Sequence, residues 1–182
     1  MSNLYFTILV FVFLTILVAL VVRHGRRAQR ASTADWDELL GRLECVDREK
    51  IAAIARDALG NGQTDAQGAL EFDGISIETM LGGLEGLEKL QRNCEVLIDL
   101  AAYVQRWYPE AVVVAEQLRL NARELEWHVG RLRGAAETGN LHSAFGDYAQ
   151  RAVVIYYLMT QHVLELYART SVSGVAQLQA AL

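Results

Sequence analysis

The chain has 182 residues, 52% of them hydrophobic and 21% charged, with one proline, two cysteines and a formal net charge of −5. That length allows one ordinary domain, and the apolar content and sparse cysteine exclude a disordered chain or a disulfide framework. An average chain carries roughly 5% proline, so a single Pro109 points to long uninterrupted helices. The expected fold class is all-α, an N-terminal transmembrane helix followed by an antiparallel four-helix bundle.

Residues 1–3 are uncharged and are expected as a short extracytoplasmic tail. Residues 4–22 (LYFTILVFVFLTILVALVV) contain no charge and only two threonines as polar side chains. At about 1.5 Å per residue this run nearly spans a hydrocarbon core of roughly 30 Å, and a helix pairs its own backbone there. A cleaved signal peptide needs a basic stretch ahead of a shorter apolar run and small residues at a cleavage site. None of these is present, so the expectation is a retained signal anchor.

The basic juxtamembrane collar, residues 23–31, carries Arg23, Arg26, Arg27 and Arg30. By the positive-inside rule this flank stays cytoplasmic. The chain is therefore expected to be a single-pass protein of the cell membrane, with its N-terminus outside and its helical domain in the cytoplasm. The four arginines are expected to meet anionic lipid. The remaining chain holds 13 basic and 22 acidic groups, a charge of −9, which repels phosphate backbones and argues against nucleic acid as a partner. Cys45 and Cys94 form no ligand spacing and fit a reducing compartment.

The bundle is expected over residues 32–169. Its first helix, about 33–59, begins at a Ser32-x-x-Asp35 capping pattern and carries Trp36, Leu39, Leu40, Leu43, Val46 and Ile54 at helical spacing. Residues 60–75 read as one long polar loop, with Phe72 pinning its end. The second helix, about 76–107, has Leu87, Leu90, Cys94, Leu97, Ala101, Val104 and Tyr108 on one stripe and Val96, Leu100, Tyr103 and Trp107 on another, which places it centrally. Gly83 and Gly86 face its core stripe and are expected to admit a closely packed helix, since helical glycine otherwise costs about 1 kcal/mol. Pro109 marks a break, either a hairpin or a kink. A third helix over about 109–133 and a fourth over about 141–169 complete the bundle. Residues 170–182 are expected as a loose tail.

Dimetal bundles use carboxylates and E-x-x-H pairs on facing helices. The candidates are Glu124 with His128, four apart, and His162 with Glu165, three apart. No E-x-x-H in that order occurs, there is no C-x-x-C-H haem signature, and no G-x-S-x-G elbow is present. No metal, no cofactor and no catalytic residue is therefore expected, and an enzyme is not the leading reading.

A second apolar row on the third helix, Val113, Leu120 and Trp127, is spaced by seven and lies opposite its core stripe. Val154, Tyr157, Leu158 and Leu164 lie off the core face of the last helix. These rows are the expected protein interface. In layout alone the chain is similar to LemA-type membrane proteins, but the motif those proteins carry at the first soluble helix is missing, so the similarity carries over no functional residue. The expected function is that of a membrane-anchored helical adaptor, scaffold or accessory subunit. It would act through a membrane or cytoplasmic protein, or through self-association. A metal- or cofactor-binding bundle with redox or hydrolytic activity is the alternative, and a small-ligand sensor bundle is the second alternative.

Overall fold

A computed structural model of the protein describes residues 8–16, 18, 35–61, 72–170 and 175–182. Every regular element among the described residues is an α-helix. Helix α1 (residues 8–16) falls inside the expected anchor. Apart from Val18, the rest of that anchor and the arginine collar lie outside the described residues. Among the described residues no helix is long and apolar enough to cross a membrane. What α1 does present is a set of large apolar side chains, Ile8 to Ile16 and Val18, each exposed by 38% to 73%. Thr15 hides its hydroxyl by donating to the Phe11 carbonyl.

The expected first bundle helix is two helices, α2 (Trp36–Gly41) and α3 (Arg48–Asn61). Asp35 caps the start, accepting from the Trp36 N–H at 2.8 Å, and Ser32 of the expected capping pattern lies outside the described residues. The break falls at Leu43–Asp47 because the buried Asn93 amide takes the place of helical hydrogen bonds there. Its Oδ1 accepts from the Glu44 N–H at 2.8 Å, and its Nδ2 donates to the Glu44 carbonyl at 2.9 Å. Leu43 and Val46 still pack on the core, so the apolar spacing survives the interruption that it conceals.

The expected second helix is likewise two, α4 (Gly74–Leu81) and α5 (Gly83–Val104). Asp73 caps α4 by accepting from the Ser76 N–H, and Phe72 packs against the core as expected. Gly82 and Gly83 have φ of 77° and 71°, a left-handed corner that side chains with a Cβ enter at a cost of roughly 1 to 2 kcal/mol. Of the two glycines expected to seat another helix, Gly83 turns this corner instead, and Gly86 lies against Leu81, the last residue of α4. Gly83 has open space at its Cβ position, whereas a Cβ on Gly86 would stand 1.8 Å from the Leu81 carbonyl oxygen. A further close helix approach lies where Gly74 of α4 crosses Gly146.

Helix α5 ends at Val104, three residues short of expectation, and the Pro109 corner leads into α6 (Ala111–Glu137). The break is a hairpin, because Arg133 near the end of α6 pairs with Glu88 near the start of α5 at 2.8 Å. Helix α6 continues past Gly134 to stop at Gly139, whose φ is 74°. There the Asn140 N–H donates to the Ala135 carbonyl and the Gly139 N–H to Ala136, the two bonds of a Schellman ending. Helix α7 (Leu141–Thr170) returns alongside and packs against α3, α4, α5 and α6. It shares with α5 the central place that was expected for the second helix alone. Its core face, Phe145, Ala149, Ala152, Tyr156, Met159 and Val163, is buried.

Residues 175–182 are not loose. Helix α8 (Val175–Ala181) packs on α7 and buries Leu178 and Leu182. Gln177 accepts from the Trp36 indole N–H at 2.8 Å.

A candidate interaction surface on α6

Helix α6 packs chiefly on α5 and α7. Ala111, Ala115, Leu118, Leu125, Val129 and Leu132 turn inward and are fully buried. The opposite face holds the expected row. Val113 is 69% exposed, Leu120 58% and Trp127 56%. The row on α7 is different. Leu158 is exposed, whereas Val154, Tyr157 and Leu164 are partly buried against the core, so only Leu158 of that set is an open surface residue. Tyr157 and Leu164 instead wall a groove with Arg48, Ile51 and Leu182.

Trp127 is held in place without being covered. Its ring lies edge-on to His128 at 5.0 Å and to Tyr148 at 5.9 Å, with the Arg131 guanidinium 5.9 Å from its centre. Beneath it His128 is 3% exposed, and its Nδ1 has no hydrogen-bond partner. Burial pushes this imidazole below its ordinary value, with Glu124 pulling the other way and Arg151 adding to the depression. Glu124 stands 4.0 Å from Nε2, too far for a hydrogen bond.

The two metal-candidate pairs are not brought together. Glu124 and His128 sit on the α6 flank beside Tyr148. His162 and Glu165 line a separate cleft of about 640 Å³ with Tyr108, Glu110 and Val113. Glu165 is already engaged with Arg169 at 2.5 Å. Among the described residues no three His, Cys, Asp or Glu side chains gather as metal ligands do. Cys94 is buried, which pushes its thiol well above the usual range and keeps it protonated, whereas Cys45 is exposed.

The apolar stripes of the sequence misplace Trp107 and Tyr108. Both read as core positions of a helix reaching residue 107, yet with α5 ending at Val104 they stand 54% and 39% exposed. The available signal was Pro109, which biases the preceding residue away from helical geometry. Tyr108 instead donates its hydroxyl to the Thr170 carbonyl and fastens the corner to the end of α7. Compared with protein-family models, with curated proteins and with solved structures, the chain gives no match.

Proposed function

We propose that the protein is a single-pass, membrane-anchored helical adaptor whose bundle lies at the cytoplasmic face and engages a protein partner through the outer face of α6. The observation that carries this reading is the pairing of two uncovered apolar surfaces. One is α1, apolar around its whole circumference, as a membrane helix is and a surface helix is not. The other is the heptad-spaced row Val113, Leu120 and Trp127. Full burial of a large apolar side chain is worth about 1.5 to 3 kcal/mol. Three of them barely offset the roughly 4 to 15 kcal/mol that association costs in solution. A membrane tether raises the local concentration of partners sharing that membrane, so a modest row suffices when the bundle is anchored. The arginine collar at residues 23–31 supports the cytoplasmic orientation through the positive-inside rule and through attraction to anionic lipid.

The test is in-membrane cross-linking of the full chain. Wild type is expected to give a discrete cross-linked complex, and Trp127→Glu combined with Leu120→Glu to lose it while circular dichroism stays unchanged. Undiminished cross-linking of the double variant rejects the α6 face as the interface.

A further inference from the structure

Among the described residues beyond the expected anchor, nine large hydrophobic side chains stand exposed, and four of them fall within seven consecutive residues at the α5–α6 corner: Trp107, Tyr108, Val112 and Val113. Singly scattered hydrophobics need no explanation, but a cluster marks a surface that meets something apolar. The corner is also built to stay put. Trp107 lies edge-on to Tyr103 at 5.2 Å, and the Arg106 guanidinium sits 4.5 Å from the Tyr103 ring centre and 5.8 Å from that of Trp107. Tyr108 is held by Thr170.

What covers this corner follows from where the chain enters the bundle. Trp36, the first residue of α2, stacks on Tyr103 at 5.8 Å and on Tyr167 at 5.3 Å, which places the entry point at the same end. The expected anchor finishes at Val22, so the connection to Trp36 reaches about 50 Å fully extended and about 20 Å as a helix. Helix α6 is about 40 Å long. The opposite end of the bundle could reach the bilayer only with the tether almost fully drawn out along its side, whereas the Trp36 end needs no extension.

We infer that the α5–α6 corner rests on the bilayer, with Trp107, Tyr108, Val112 and Val113 at headgroup depth and the α6–α7 corner directed away from the membrane; Val113, the corner end of the α6 row, then meets lipid and leaves Leu120 and Trp127 to the protein partner. This rests on the anchored reading above. Tryptophan favours that depth because its ring is apolar while the indole N–H remains able to hydrogen-bond, and Tyr108, whose hydroxyl is taken by Thr170, adds the apolar face of its ring. Arg106 and Glu110 give the corner one charge of each sign, and Asp35, Asp37 and Glu38 at the nearby start of α2 are acidic. The surface recognised is therefore the uncharged gradient from headgroup to hydrocarbon. Attraction to anionic lipid belongs to the collar.

The experiment uses the full chain in Cys45→Ser background, reconstituted into phosphatidylcholine vesicles and into an equal mixture with phosphatidylglycerol. A nitroxide is placed at Val113→Cys or, as the distal control, at Ile75→Cys, which are equally exposed at 69%; the buried Cys94 does not label. The Val113 label is expected to be several-fold less accessible to a water-soluble nickel chelate than the Ile75 label, and more accessible to oxygen, in both lipids. Adding Trp107→Ser and Val112→Ser is expected to restore nickel access while the protein stays with the vesicles. Equal nickel access at the two sites in vesicle-bound protein overturns the corner contact and leaves the anchor standing. Protein that fails to associate with vesicles overturns both. Protection confined to the anionic mixture, or accompanied by dipolar broadening between Val113 labels of two copies, assigns the corner to charge or to self-association and overturns the inference.

Discussion

Asn93 is the single side chain on which the first half of the bundle depends. It is 1% exposed and spends its amide on both backbone groups of Glu44 and on the Tyr156 hydroxyl, the last at 3.3 Å. Asn93→Ala is expected to cost about 2 to 3 kcal/mol in urea denaturation, because it leaves buried donors and acceptors unpaired. His128 sets a pH dependence. Burial disfavours protonation of its folded form, with Glu124 opposing and Arg151 adding to this, while the unfolded chain takes up a proton near pH 6.5. The unfolded state therefore binds more protons as pH falls, so the stabilisation is complete above that value and is lost below it. The denaturation midpoint of wild type is expected to drop between about pH 7.5 and about pH 5.5 by more than that of His128→Gln, and parallel profiles would show that His128 does not contribute. The periodicity of the sequence placed Cys94 on an apolar stripe, and it is buried. Periodicity could not show Asn93 as a partner of Glu44, since 49 positions separate them and only the packed bundle brings them together.

At the scale of elements, the existence of helices was legible and their breaks were not. Leu39, Leu40, Leu43, Val46 and Ile54 keep helical spacing across the α2–α3 break, so a pattern that registers only apolar spacing runs through it. The run Gly82-Gly83 was visible in the sequence, but Gly83 was expected with Gly86 as a helical packing notch, and a glycine suits a left-handed corner equally well. The positive φ of Gly82 and Gly83 decides for the corner. A notch between distant helices lies at Gly74 and Gly146, 72 positions apart, where a Cβ on Gly146 would stand 3.1 Å from the Gly74 Cα. Glycine to alanine in a helix ordinarily gains roughly 1 kcal/mol. Gly146→Ala is expected to reverse that sign and to destabilise by about 1 to 3 kcal/mol through overpacking, with faster amide exchange in α4. Gly134→Ala, which meets open space in α6, is the control expected to stabilise.

For the whole molecule, α8 closes the end at which the chain enters. Leu178 and Leu182 are buried, and Gln177 holds the Trp36 indole. Truncation after residue 174 is expected to lower stability by about 3 kcal/mol, the value of burying two leucines, and to shift Trp36 emission to longer wavelength; an unaltered spectrum would mean that α8 does not cover Trp36. The sequence by itself determined the all-helical class, the inward and outward faces of α6 and the separation of a basic flank from an acidic body. Each of these follows from composition or from a repeat of 3.6 residues, which is local information. The tertiary structure decided the two broken helices, the docking of the last eight residues, the central place of α7 and the exposure of Trp107 and Tyr108. Those depend on which distant groups meet, because an apolar stripe records only that a face is covered, and not by which element or for how far along the helix.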